Sequence, residues 1–348
     1  MASTLTTEFA HLQIPLEDII TATNNFSDKN IIGKGGFGKV YKGKLKDPFG
    51  KWIKIAARRL DRTYGQGETE FWTEVSMLSS LKHKNIVSMI GFCNENGEKI
   101  IVNHHYRNGS LNMHLSNKNL TLLHRVDISE RIASALYYLH SLLLESYHVI
   151  HRNINSSTIL LDDMWEPKLS GFEFSIKHPK HRIDQVYISK PIGTRGYIDP
   201  DTHRIGGVTY KSDVYSMGVV FFEILCGRKA FISCEADDNK FLVQLARSHY
   251  ENKTLRDIIP HDLWNDQEYS SDLFNCLAQA AYNSTFETGT DRKSTNNVWG
   301  SLHGLTNFIK YGPIGSSGSG SALTDSVDNN APKSGPFNPK KVLRNFIL

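Results

Sequence analysis

A chain of 348 residues with 39% apolar content is long enough to bury a core divided between two lobes and to leave a tail over. The formal net charge of +4 is spread along the chain and makes no case for nucleic-acid binding. Four cysteines, Cys93, Cys226, Cys234 and Cys276, show neither paired metal spacing nor a disulfide framework, so a reducing cytosol is expected.

Residues 1–28 read as an N-terminal extension without a signal-peptide pattern, and Ala2 excludes N-myristoylation. Leu16, Ile19, Ile20 and Ala22 predict one short helix there, set against a strand-rich lobe over about 29–103. That lobe opens on a Gly-rich run, Ile32-Gly33-Lys34-Gly35-Gly36-Phe37-Gly38-Lys39-Val40, followed by the strand Ile55-Ala56-Ala57-Arg58. Phe71, Val75 and Leu78 then recur at helical spacing around Glu74. A connector is expected near 103–107, at Asn103-His104-His105-Tyr106, and a helical lobe over 108–302. In the latter, Ile128, Ile132, Ala135, Leu136 and Leu139 share one helix face. The most apolar stretch, Met217 to Leu225, is interrupted by Glu223 and is too short to span a bilayer, so no transmembrane segment is expected. Residues 303–348 read as the end of the last helix and a flexible tail, Gly/Ser-rich from Gly315 to Ser321.

Further motifs follow in order. His151-Arg152-Asn153-Ile154-Asn155-Ser156-Ser157-Thr158 has the spacing of H-R-D-L-x-x-x-N, and Ser170-Gly171-Phe172-Glu173 stands in the place of D-F-G. Gly193-Thr194-Arg195-Gly196-Tyr197-Ile198-Asp199-Pro200-Asp201 and Ser212-Asp213-Val214-Tyr215-Ser216-Met217-Gly218 complete the series. Seven motifs in this order over roughly 260 residues resemble a protein kinase domain across residues 29–302. Ala22-Thr23-Asn24-Asn25-Phe26-Ser27, Leu81-Lys82-His83-Lys84-Asn85-Ile86-Val87, Asn108-Gly109-Ser110-Leu111 and Lys211-Ser212-Asp213-Val214-Tyr215-Ser216 place the resemblance in the plant receptor-like kinases related to Pelle. It implies an α+β, two-lobed fold: a β-rich N-lobe carrying the αC helix, and a mostly helical C-lobe.

The resemblance also assigns roles. Gly33, Gly35, Gly36 and Gly38 would cover nucleotide phosphates; Val40, Ala56 and Leu160 would line the adenine; the His104 carbonyl and Tyr106 amide would bond to it. Met89, Leu78, Phe172 and His151 match the spine that links the lobes, anchored by Asp213. Asp201 and Arg292 match the ion pair that braces the large lobe. Arg152 matches the arginine that pairs with a phosphorylated activation-loop residue, for which Ser175, Ser189 and Thr194 are the candidates. A basic run, Lys177, His178, Lys180, His181, Arg182 and Lys190, surrounds them and reads as a solvated loop, with an acidic docking site as the alternative.

Against that scaffold the chemistry is depleted. Asn153 stands for the catalytic Asp, and an amide has no basic lone pair comparable to a carboxylate's. Gly171 has no side chain for the metal that bridges the phosphates, and Thr158 offers a neutral hydroxyl where Asn would hold the second. Asn155 replaces a Lys, and Arg58 replaces the phosphate-binding Lys with a longer planar fork. Losing a general base costs about 10²–10⁴ in rate, and an electrostatic stabiliser about 10²–10³. Neither Lys54 nor Asp162 is placed to compensate, and the backbone direction expected at Glu173 would turn it away from a metal. Glu74 can still pair with Arg58. No metal is expected, and any ATP binding would be independent of magnesium. The leading expectation is a pseudokinase acting in the cytoplasm, recruited to the inner face of the plasma membrane beside an active receptor-like kinase or another signalling protein. The alternatives are a weak serine/threonine protein kinase and a metal-independent nucleotide sensor.

Overall fold

The computed structural model describes residues 2–36, 38–61, 67–142, 147–179, 186–187, 192–233, 240–263 and 270–311. Two helices, α1 (Ala2–Glu8) and α2 (Leu16–Ala22), precede a five-stranded antiparallel sheet in the order β1-β2-β3-β5-β4. Its strands are β1 (Ile31–Gly35), β2 (Gly38–Lys46), β3 (Trp52–Arg59), β4 (Met89–Glu95) and β5 (Glu98–His104), with helix α3 (Glu68–Ser80) between β3 and β4. Alternation along β2 and β3 sends Tyr41, Ile55 and Ala57 into the core and leaves Lys42, Lys44 and Lys54 exposed.

The N-terminal extension is built into this lobe. Sequence reasoning foresaw one helix; α1, with little apolar periodicity of its own, contacts α3, and Phe9 beyond it is buried with Phe71, Trp72, Val75, Phe92 and Ile101. The Phe71, Trp72 and Phe92 rings meet edge to face, with centroids 5.0–5.8 Å apart. The Ile14 amide donates to the Phe92 carbonyl at 2.8 Å, and the Leu16 amide donates to Glu95 at 3.0 Å. On the other side of the sheet, Ile19 of α2 packs with Ile55, Ala57, Cys93, Ile100 and Val102. The extension therefore holds α3 and the sheet in one position.

The second lobe contains α4 (Leu122–Tyr137), β6 (Tyr147–Ile150), β7 (Ile159–Leu161), β8 (Pro167–Leu169), β9 (Ile176–Pro179), β10 (Val186–Tyr187), α5 (Pro200–Ile205), β11 (Gly207–Val208), α6 (Tyr210–Cys226), α7 (Leu242–Glu251), α8 (Ser270–Ser284) and α9 (Thr295–Tyr311). The strands form three two-stranded ladders, β6-β9, β7-β8 and β10-β11. Helix α6 is apolar on nearly all sides and is buried among its neighbours, as such a pattern requires. Gly218 lets α8 approach closely: a Cβ there would lie 2.7 Å from Ser284 and Thr285. The expected Gly/Ser-rich tail from residue 312 onward lies outside the described residues.

The predicted brace between Asp201 and Arg292 is corrected. Arg292, with no side-chain exposure, donates to both carboxylate oxygens of Asp199, at 2.7 and 2.6 Å. Asp201 instead accepts from the Gly289 amide at 2.9 Å and from Arg204 at 2.6 Å. An Asp at 201 is one methylene shorter than the Glu of the pattern, and Asp199 lies directly in the guanidinium plane's reach. Asp199→Ala should cost about 3–5 kcal/mol, because it strands a buried cation. Asp201→Ala should cost about 1.5–3 kcal/mol, the range for hydrogen bonds to a charged group. Chemical denaturation of both variants measures the difference; an equal or reversed order would restore Asp201 as the brace.

Candidate active site

Strand β3 aims Arg58 into the cleft between the lobes, opposite Val40 on β2 and Ile101 on β5. Helix α3 meets it with Glu74, and the two form an ion pair. The Glu74 carboxylate is 2% exposed and the Arg58 side chain 17%. Arg58 also faces Glu173, with Nη1 3.7 Å from Oε2. Burial works against the Arg58 charge, but the carboxylates of Glu74 and Glu173 more than offset it and raise its pKa above the ordinary value. Burial also pushes the Glu74 carboxyl up from its ordinary range; Arg58 opposes that shift and the Glu173 charge adds to it. Two carboxylates thus share one guanidinium in a buried place, where burial and the Glu173 charge favour the protonated form of Glu74.

Glu173 is the residue that sequence reasoning placed wrongly. Gly171 adopts φ 87°, the left-handed region, and starts a single turn of 3₁₀ helix at Phe172–Phe174. That turn points Glu173 inward, where it is 4% exposed. Its Oε1 accepts a hydrogen bond from the side-chain Nδ2 of Asn153 at 2.7 Å. A carboxylate thus bridges the position of the missing base and the position of the phosphate-binding Lys. The exchange of neutral Gly for Glu at 173, together with Arg for Lys at 58, was the available signal.

The rest of the catalytic loop is closed on itself. Asn155 Nδ2 donates to Asn153 Oδ1 at 3.1 Å and to Thr194 at 3.2 Å. The single proton of the Thr158 hydroxyl is shared between the carbonyls of Asn153 and Asn155, both at 3.0 Å. Its methyl fills the space beside Gly171, where a Cβ would lie 2.8 Å from Thr158 Cγ2. Of the oxygen ligands that magnesium–nucleotide would need, Gly171 supplies none and Thr158 offers a neutral hydroxyl in place of an amide oxygen.

The structural positions around this site are assembled. Asp213 accepts from the His151 amide at 2.7 Å and the Arg152 amide at 2.8 Å, and His140 Nε2 lies 3.1 Å from it. The His151 and Phe172 rings are 4.6 Å apart, and Leu78 and Phe172 lie in the main core, with Met89 packed against it. Gly33 pairs with Val40 across β1 and β2, and Gly35 with Gly38. Gly38 has φ 103°, and any Cβ there would collide with the Arg59 carbonyl. Gly36 sits in the turn between them. Val40, Ala56 and Leu160 are half-buried on the cleft walls. His104 ends β5 opposite Ile55, and the Tyr106 hydroxyl accepts from the Ser88 amide at 3.0 Å.

The phosphorylation candidates are redistributed. Ser175 is buried and donates to the His151 carbonyl at 3.2 Å, so it is withdrawn as a target. Ser189 lies outside the described residues, as do Lys180, His181, Arg182 and Lys190. Thr194 is tied to Asn155. Arg152, at φ 70°, donates to the Phe174 carbonyl at 3.1 Å.

A five-stranded lobe with an inward α3, a helical lobe built on α6, and a cleft carrying these loops define a protein kinase fold. The family model described as protein tyrosine and serine/threonine kinase matches residues 26–262, and the chain belongs to that family. Its relatives are plant receptor-like kinases. It is 37% identical over 293 residues to the receptor-like protein kinase HERK 1 of Arabidopsis thaliana, covering 83% of this chain and 34% of HERK 1. It is 36% identical over 285 residues to receptor-like protein kinase FERONIA of the same plant, covering 81% of this chain and 31% of FERONIA. The chain therefore spans about a third of the length of these curated relatives. Among the described residues no helix is long and apolar enough to cross a membrane.

Proposed function

We propose that this kinase domain is a catalytically silent signalling module, a pseudokinase that works beside an active kinase of the receptor-like type or another signalling protein at the cytoplasmic face of the plasma membrane. The observation that carries the reading is the Glu173 carboxylate, set between Asn153 and Arg58. Phosphoryl transfer asks a protein for positioning and for neutralisation of phosphate charge. Here Arg58, at the position of the phosphate-binding Lys, is already answered by two carboxylates, the base is an amide, and the metal positions carry only a glycine and a neutral hydroxyl. With Arg58 already held by Glu74 and Glu173, little positive charge is left for a phosphate group, so nucleotide is not expected to bind in the manner of an active kinase. Among the described residues the positions that shape a kinase surface lie together, with α3 paired to Arg58 and packed against the N-terminal extension, which supports the reading.

The half-buried walls at Val40, Ala56 and Leu160 support a second reading, an adenine nucleotide held without metal. Both readings predict no catalysis. Purified protein incubated with Mg-ATP or Mn-ATP and a generic protein substrate should incorporate no phosphate above a no-enzyme control. Incorporation that disappears on Glu173→Ala or Asp162→Ala would identify a relocated base or metal ligand and a working kinase.

A further inference from the structure

Strand β1 pairs with β2 only as far as Tyr41, so Lys42–Lys46 is hydrogen-bonded to β3 on one side and forms the edge of the sheet on the other. Lys42, Lys44 and Lys46 alternate along this edge and are all exposed on one face. Directly opposite them on β3 lie Ala56, Lys54 and Trp52. Lys44 and Lys54 therefore face each other as like charges, an arrangement that costs stability when nothing answers it. Trp52 is 61% exposed, with Lys46 Nζ 5.2 Å from its ring centroid. Among the described residues these four lysines form no ion pair. A groove of about 1110 Å³ runs beside this edge, walled on its far side by Asp18, Thr21 and Ala22 of α2, and Arg107 extends the basic lining. Among the described residues Asp18 is the one acid in that lining.

We propose that this groove binds an extended acidic segment of a partner protein, which adds to β2 as a further strand and sets carboxylates beside Lys42, Lys44 and Lys46. Five residues of edge offer about 16 Å of backbone, enough for a short peptide. A strand paired there keeps the period of two, so acidic residues at alternate positions fit and a run of consecutive acids fits less well. Exposed lysines on an edge also guard against aggregation, but that duty requires neither a second lysine facing Lys44 nor a groove of this size. A concave site between a helix and a strand edge suits a chain better than a flat membrane. The proposal stands independently of catalytic silence.

The test is fluorescence anisotropy with a labelled, end-capped heptapeptide alternating Glu and Thr, against the full chain. Binding should weaken at least about tenfold in Lys44→Glu/Lys54→Glu, whose melting temperature shows that it folds. N-methylation of alternate peptide amides in one register should abolish binding, while methylation in the other register should spare it. A peptide of the same composition with its Glu residues contiguous should bind more weakly. The proposal is overturned if the alternating peptide does not bind, if both methylated peptides bind alike, or if the contiguous peptide binds equally well. It is also overturned if phosphatidylserine vesicles, and not the peptide, capture the chain in a manner dependent on Lys44 and Lys54.

Discussion

Restoring the two missing carboxylates, Asn153→Asp with Gly171→Asp, should leave the protein inactive and make it less stable. Gly171 sits at φ 87° with Thr158 Cγ2 2.8 Å from where its Cβ would be. A side chain there meets both a left-handed backbone and an occupied space, for a combined loss of about 2–4 kcal/mol. The carboxylate introduced at position 153 would also stand within hydrogen-bond distance of the Glu173 carboxylate in place of an amide donor, exchanging attraction for repulsion. Phosphate incorporation and urea denaturation check the two halves. Measurable transfer by this double variant would mean that the site is only two substitutions from activity, and the account of a reshaped cleft would be wrong.

Removing Arg58 should be the most damaging single change in the cleft. Arg58→Met leaves Glu74 and Glu173, each 2% exposed at the side chain, without their cation. Breaking a buried pair from one side costs about 3–5 kcal/mol. Glu74→Ala should cost less, about 1–3 kcal/mol, because Glu173 remains to accompany Arg58. The Arg58→Met defect should also depend on pH. Burial already raises the folded-state pKa of Glu74 above its ordinary value of 4.5, and removing the cation raises it further. A raised carboxyl contributes stability that is present below the unfolded value and lost as pH rises through the folded value. The variant should therefore lie closer to wild type at pH 5 than at pH 8. A defect that grew on acidification would show that the carboxylates are not the groups Arg58 holds.

The sequence made the architecture legible because kinase motifs combine residue identity with order along the chain. The losses at Asn153, Thr158 and Gly171 needed no coordinates, since they are losses of chemical groups. The contact between Arg58 and Glu74 was readable from a strand position and a helical spacing. What was not legible depended on backbone direction and side-chain reach. The inward turn of Glu173 follows from the left-handed Gly171, which pattern reading cannot orient. Choosing between Asp199 and Asp201 for Arg292 required knowing which of two acids flanking Pro200 lies nearer, a matter of backbone path. Helix α1 carries little periodic signal, because its order comes from contact with α3 and the aromatic cluster beneath it.

The central claim is that Glu173 has taken the place of the phosphate charge that an active kinase cleft accepts. Its most direct test is the melting temperature of the wild-type chain and of Glu173→Ala with saturating ATP, each with and without magnesium. For wild type, the account predicts no stabilisation by magnesium beyond that of ATP alone, and a larger ATP response in Glu173→Ala, where Arg58 is freed of one carboxylate. A magnesium-dependent rise in the wild-type melting temperature, unaffected by Glu173→Ala, would contradict it.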